Sequence, residues 1–193
     1  MAEKETEFKY LLSAEDYRKV AEALGKPQGE RRFINRYFTV EGGTERRDWV
    51  LRLRVEGSRR ELTLKIGREV SPGVFDSVEH NQLVDSEDPE QWLQTDPLKV
   101  LREEVSIAPI LVQGESRNLR RLYSPPVKVG RVWELDRCEL PNGHEFCELE
   151  IEVEALELDA SRRLLEGWLG KLEVAAGPSD KTKYGRFLAS LEA

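Results

Sequence analysis

ELDRCELPNGHEFCELEIEVE, residues 134–154, reads as two strands folded back on each other. Side chains alternate across a strand with a period of two. In the second half Glu148, Glu150, Glu152 and Glu154 share one parity, and Cys147, Leu149, Ile151 and Val153 share the other. Between the halves, Pro141-Asn142-Gly143 suits a three-residue loop, a type I turn followed by a left-handed glycine. Such a loop sets Asp136 opposite Glu148 and Glu134 opposite Glu150, all on the charged face. A two-residue Asn-Gly turn would set Asp136 opposite Leu149 and break the alternation. On the favoured register Cys138 faces the charged side and Cys147 the apolar side, so the two do not form a disulfide.

The same alternation recurs upstream. Glu5, Glu7 and Lys9 oppose Phe8 and Tyr10; Arg52 and Arg54 oppose Leu51, Leu53 and Val55; Glu61, Thr63 and Lys65 oppose Leu62, Leu64 and Ile66. A sheet with one face on a core and one in water would alternate in this way too. Two features point further. The charged faces carry both signs, segregated by strand, and several helices are available to cover the apolar face. If the sheet closes, its apolar outside packs against helices and its charged inside lines a tunnel. Arginines alone would repel one another there; carboxylates opposite them offset that, and so would a bound polyanion with metal.

The chain has 193 residues, 35% of them charged, with a net charge of -7. The length suits one domain or two very small ones, and the charge fraction exceeds the usual quarter. The acidic balance argues against non-specific nucleic-acid or anionic-membrane binding. The start MAEKETEFKY has no apolar signal core and no long apolar run follows, which predicts a soluble, cytoplasmic protein. Strands are predicted at 3–11, 32–40, 48–56, 60–67, 74–84, 117–124, 129–140 and 145–155. Helices are predicted over 13–24 with Ser13 as cap, from Asp88-Pro89, from Pro97 through Val105, from a cap at Asp159 through Leu172, and over 184–191. The class is α+β with a dominant antiparallel sheet.

These residues resemble the CYTH, or triphosphate tunnel metalloenzyme, superfamily. The opening Glu-x-Glu-x-Lys signature is present as Glu5-Thr-Glu7-Phe-Lys9. In order follow LRLR with Arg52 and Arg54, LTLK with Lys65, then Glu79, Arg120, ELD with Asp136, ELE with Glu148 and Glu150, and the KTKYGRF tail with Lys183. Each motif alone is weak; their order over residues 3 to 187 is specific. The resemblance implies a single CYTH-like domain over 1–193, a closed eight-stranded antiparallel barrel with a charged lumen and helices outside. It implies that Lys9, Arg52, Arg54, Lys65, Arg120 and Lys183 bind a triphosphate. Glu5, Glu7, Glu148 and Glu150, with Asp136 as a weaker addition, would hold Mg²⁺ or Mn²⁺. Glu79 and Glu61 would orient basic residues or position water, so that Glu5, Glu7, Lys9, Glu79 and Asp136 form the catalytic set. Arg117 and Arg121 compete with Arg120, and Lys181 with Lys183. Arg31, Arg32, Arg46, Arg47, Arg59 and Arg60 lie near turns, solvated or lining the mouth.

Arginine's fork suits phosphate oxygens, and Mg²⁺ takes oxygen ligands, usually few carboxylates plus phosphates and waters. There is no Gly-rich phosphate loop, and His80 and His144 look incidental. Class IV cyclases carry a His-Glu-Lys-Asp run before the second-strand tyrosine; here the stretch is Phe33-Ile34-Asn35-Arg36-Tyr37. Trp49, near the place of the thiamine-stacking tryptophan of the animal enzymes, falls on the apolar parity, outside the tunnel. A site made only of charges suits tripolyphosphate, with thiamine triphosphate, a nucleotide, or binding without turnover as alternatives. The small-molecule substrate would be the only required partner, the chain acting as a monomer or homodimer.

Overall fold

The computed structural model describes residues 2–40, 49–104 and 109–192. Eight strands form the wall: β1 Ala2–Leu12, β2 Gly29–Val40, β3 Trp49–Glu56, β4 Arg59–Ser71, β5 Val74–Leu83, β6 Ile110–Tyr123, β7 Trp133–Glu139 and β8 Glu145–Glu152. Their order is β5-β4-β3-β2-β6-β7-β8-β1, and β1 also pairs with β5, so the antiparallel sheet closes on itself. β1 can serve both neighbours because its first half bonds β5 and its second half bonds β8. Where β5 runs out, a two-residue strand, β9 (Gly177–Pro178), takes its place beside Tyr10 and Leu11. The α+β barrel expected from the sequence is what the chain forms.

The hairpin register follows the three-residue loop. Asp136 lies opposite Glu148 and Glu134 opposite Glu150. Gly143 has φ 79°, and its N–H closes the turn on Leu140 O at 2.9 Å. Both cysteines are free and buried.

The apolar parity faces outward and is covered by helices, as the alternation requires. α1 (Ala14–Leu24), capped by Ser13 accepting from Asp16 N, and α3 (Leu158–Lys171) bury Phe8, Tyr10, Trp133, Leu149 and Ile151. α2 (Asp96–Glu104) covers Leu51, Leu53, Leu62 and Leu64, and Trp49 lies in that same exterior cluster. Burial of such side chains contributes about 1.5–3 kcal/mol each.

Some boundaries differ from the sequence reading. Asp88-Pro89 opens only a single 3₁₀ turn, Pro89–Trp92, because Trp92 turns inward and donates to Ser86 O at 2.9 Å. Asp159 is not a cap: α3 begins at Leu158, so Asp159 lies in its first turn. β6 starts at Ile110, since Ile110, Leu111 and Val112 extend the pairing with β2 past a bulge at Gln113. β7 starts at Trp133, whose indole folds back to donate to Val129 O. β8 ends at Glu152 before a 3₁₀ turn over Ala155–Glu157. Val105, Arg46 and Arg47 lie outside the described residues.

The C-terminal helix, α4 (Lys183–Leu191), capped by Thr182, does not lie on the outer wall alone. Its Phe187, fully buried, packs with Tyr37, Cys138, Leu140 and Phe146, flanked by Leu11, Val50, Tyr184 and Leu188. Tyr37, Leu11, Val50, Cys138 and Phe146 all share parity with the charged residues. They form an apolar floor at one end of the barrel, and α4 stoppers it. Gly114 makes this possible: a Cβ there would come within 3.1 Å of the Phe187 ring, and its φ of 147° suits the bulge.

Candidate functional site

Between the apolar floor and the opposite mouth, the lumen brings together charged residues from seven strands and α4. β1 contributes Glu5, Glu7 and Lys9; β3 Arg52 and Arg54; β4 Lys65; β5 Glu79; β6 Arg120; β7 Asp136; β8 Glu148 and Glu150; α4 adds Lys183 from its first turn. They share a space because each stands on the inward parity of its strand.

Two regions differ in character. In the first, carboxylates and basic groups interlock. Lys65 Nζ lies 3.1 Å from Glu5, 3.0 Å from Glu7 and 2.9 Å from Glu79. Lys9 pairs with Glu7 at 2.9 Å and with Glu150. Lys183 Nζ sits 2.9 Å from Asp136, 3.1 Å from Glu148 and 2.6 Å from Glu150. Arg120 donates bidentately to Asp136 at 2.8 and 2.6 Å, to Glu150 at 2.7 Å, and contacts Glu134.

In the second region the guanidinium groups make no ion pair with a carboxylate among the described residues. Among the described residues, Arg52 contacts only Thr63 Oγ1, at 3.3 Å, and its Nε is buried without a partner. Thr63 in turn donates to Asn81, and Asn81 to Glu79, linking the two regions. Arg54 donates from Nε to Asn35 Oδ1 at 3.1 Å and lies over the Phe33 ring, 4.1 Å from its centroid.

The electrostatics follow from burial against partners. Desolvation works against each charge. For Lys9 and Lys183 the surrounding carboxylates outweigh it and raise the ammonium pKa; for Arg120 Asp136 and Glu134 do the same. Glu7, Asp136 and Glu150 are likewise held below the usual carboxylate range by their cations, and Lys65 and Arg52 hold Glu79 at about 2. Three carboxylates go the other way. Burial pushes Glu5 up to about 7, with Lys65 opposing it and Glu79 adding to it. Burial also raises Glu148 and Glu134. Burial, with Arg52 and Arg120 beside it, pushes Arg54 down to about 9.

Among the described residues, no three Asp, Glu, His or Cys side chains converge as a ready metal cage, because ammonium groups stand between the carboxylates. The donors nonetheless fit a hard divalent cation. All are carboxylate oxygens, and Glu148, fully buried, has Lys183 3.1 Å from one oxygen and no hydrogen-bond partner on the other. Asp136 fits least well, being clamped by Arg120 and Lys183.

Competing positions separate clearly. Arg117 and Arg121 point outward, to Glu115 and Glu139 and to Glu30, whereas Arg120 points inward. Lys181 is exposed and lines a cavity of about 210 Å³ under α4, outside the lumen. Glu61 is at the mouth, paired with Arg59. Arg31 is not a simple turn residue: it stands on the inward parity of β2 and binds Glu56 with Nε at 3.0 Å. Arg32 and Arg60 sit on the outside, with Glu30 and Glu87. The sequence reading gave Glu134, Phe33 and Asn35 no role, although their parity places them in the bore.

Fold and bore together define a closed antiparallel tunnel whose interior is lined by opposed charges. The chain matches the CYTH domain over residues 3–180 and belongs to that family. Among solved structures it resembles HpAC1 of Hippeastrum, proposed as an adenylyl cyclase and described as having a dominant triphosphatase activity (TM-score 0.85, 22% identity, covering 96% of this chain and 95% of that one). A Bacillus halodurans protein proposed as an adenylate cyclase superposes with a TM-score of 0.75 at 21% identity, covering 96% and 98%. PH1819 of Pyrococcus horikoshii gives a TM-score of 0.61 at 19% identity, covering 97% and 99%. At these identities the likeness is one of fold. No curated protein sequence matches the chain.

Proposed function

We propose that the chain hydrolyses a triphosphate, first of all inorganic tripolyphosphate, to pyrophosphate and phosphate within the lumen, with Mg²⁺ or Mn²⁺. The observation that carries this reading is the pair Arg52 and Arg54, half-buried cations without a paired carboxylate among the described residues, facing a bank of acids across one closed bore. Guanidinium forks bind phosphoryl oxygens bidentately and keep their charge at neutral pH. A bound triphosphate would also draw Lys9, Lys65 and Lys183 from their carboxylates. Glu5, Glu7, Glu148 and Glu150 would then be free to hold the metal ion, with Asp136 the weakest member. When bound, such an ion neutralises phosphate charge and lowers the pKa of a coordinated water. Glu79 keeps Lys65 oriented. The protein's share of catalysis is positioning and electrostatic stabilisation of in-line phosphoryl transfer.

The absence of an organic group from the first-choice substrate is supported by the aromatic rings on the inward parity. Phe33 lies under Arg54 and Phe75 under Lys9, while Tyr37 and Phe146 pack with α4. All are nearly buried, so no ring face is left over for a base or a thiazolium. ATP is the alternative to set against it, given how the Hippeastrum and Bacillus relatives are described. Among the described residues, no helix is long and apolar enough to cross a membrane. We place the protein in the cytoplasm as a monomer or homodimer, needing neither nucleic acid nor membrane.

The test is phosphate release from tripolyphosphate, ATP and thiamine triphosphate in parallel, each with Mg²⁺, Mn²⁺ or EDTA. Metal-dependent release favouring tripolyphosphate is expected. Cyclic AMP with pyrophosphate from ATP would make it a cyclase, and binding without turnover would make it a sensor.

A further inference from the structure

Arg54 is an unusual group to find stable in this bore. It is a half-buried cation with Arg52 and Arg120 as neighbours, and its one hydrogen bond among the described residues goes to a neutral amide. An arginine so placed tends to swing to the nearest carboxylate, since an uncompensated buried charge is costly. Besides Asp136, which Arg120 and Lys183 hold, two carboxylates are within its neighbourhood. Glu61 lies directly opposite it on β4, and Glu56 is two residues along the same face of β3. Both are already engaged: Glu61 by Arg59 and Glu56 by Arg31, whose Nε contacts both carboxylate oxygens at 3.0 Å.

What holds Arg54 in their place is a ring and an amide. The guanidinium carbon lies 4.1 Å from the Phe33 centroid, within cation–π range. Arg120 and Arg31 reach the same ring at 5.7 and 5.9 Å. Asn35, two residues along β2 and directly opposite Arg54, accepts from Nε. Asn35 is itself fixed: its Nδ2 points to Asn118 Oδ1 at 3.5 Å, and Asn118 donates to Cys138 Sγ at 3.0 Å. A belt of neutral groups from β2, β6 and β7 thus orients one guanidinium and leaves its two terminal nitrogens uncommitted.

We propose that Phe33 and Asn35 are positioning residues for the triphosphate reaction: they hold Arg54 away from Glu56 and Glu61, so that its fork stays available to a phosphoryl group. This rests on the triphosphate reading and adds to it the means by which one anion-binding arginine is kept from neutralisation. The depressed pKa of Arg54 agrees with a cation lacking its counter-ion.

The test is a double-mutant cycle on kcat/KM for tripolyphosphate with Mg²⁺, using Phe33→Leu, Asn35→Asp and Arg54→Ala. Phe33→Leu removes the ring without changing charge and is expected to lower kcat/KM by about tenfold, the order of a desolvated cation–π contact. Phe33→Tyr keeps the ring and is expected to retain the wild-type value. Asn35→Asp supplies a carboxylate at Nε and is expected to lower kcat/KM at least as much, chiefly through KM. In the Arg54→Ala background Phe33→Leu should cause no further loss, and Asn35→Asp should cause clearly less loss than it does beside Arg54. An equal further loss there would show that Phe33 and Asn35 act on the barrel rather than through Arg54, and would overturn the proposal. Should Phe33→Leu fail to fold, the Asn35→Asp arm decides by the same criterion. A wild-type protein inert toward tripolyphosphate would instead remove the triphosphate reading and this proposal with it.

Discussion

Replacing Arg120 by Met is expected to cost more than any other single loss of charge in the lumen. The guanidinium holds Asp136 bidentately and also contacts Glu150 and Glu134. Asp136 is fully buried and Glu150 nearly so. Lys183 still reaches both acids after the substitution, and Lys9 still reaches Glu150, so two cations remain for a cluster that had three. Removing one partner of a buried ion pair typically costs about 3–5 kcal/mol. For a chain of this size that corresponds to a fall in Tm of roughly 6–20 °C. Thermal unfolding in EDTA at pH 7 measures it, and the same melts repeated at lower pH carry the sharper test. In the wild type Arg120 helps hold Asp136 and Glu150 below the usual carboxylate range. Without it their pKa values rise, so they take up protons at less acid pH and the deficit shrinks as pH falls through those new values. A variant melting within about 2 °C of wild type at pH 7, about 0.5–1 kcal/mol for this chain length, would refute the view that Arg120 is committed to carboxylates. So would a deficit that grows on acidification.

Two further predictions concern stability. Glu5 has a folded pKa of about 7 against the ordinary 4.5, so the folded state binds the extra proton between those values. Metal-free stability should therefore rise as pH falls from 7 toward 4.5, then decline as Glu79, held at about 2, loses its stabilising charge. Tm against pH in EDTA checks this, and Glu5→Gln should flatten the stretch between 4.5 and 7. Phe187→Ala should cost about 3–5 kcal/mol by leaving a cavity beneath α4. Chemical denaturation measures it, and an unchanged midpoint would mean that α4 is not packed on the barrel floor.

Much of the barrel was legible because period two is rigid: one residue of slip would expose every leucine of β3 and β4. The Pro141-Asn142-Gly143 loop fixed the last hairpin for the same reason. The lumen set could be read since each charge occupies an inward position of its own strand. Local signals failed where a distant contact decides. Arg31 sits close to a turn in sequence, yet its partner Glu56 stands on the neighbouring strand β3, diagonal to it on the inward face. The stopper joins Phe187 to Tyr37 and Phe146, contacts between remote parts of the chain. A sign of it was nonetheless present: Leu11, Val50 and Phe146 are apolar on a parity that is otherwise charged. Asn35 and Phe33 were invisible as site residues because neither type announces phosphate chemistry. Their effect is on the posture of another side chain.

With α4 seated under Gly114, the barrel is a cup with one rim rather than a pipe. On the triphosphatase reading, a substrate that enters past Arg31, Arg59 and Glu134 would send its products out the same way, through one door. A long linear polyanion could not be drawn through end to end. It could offer only its terminus, with the remainder trailing into solvent. The depth of the cup, from the mouth to the ring of Phe187, would thus act as a ruler on how much of such a chain is handled at a time.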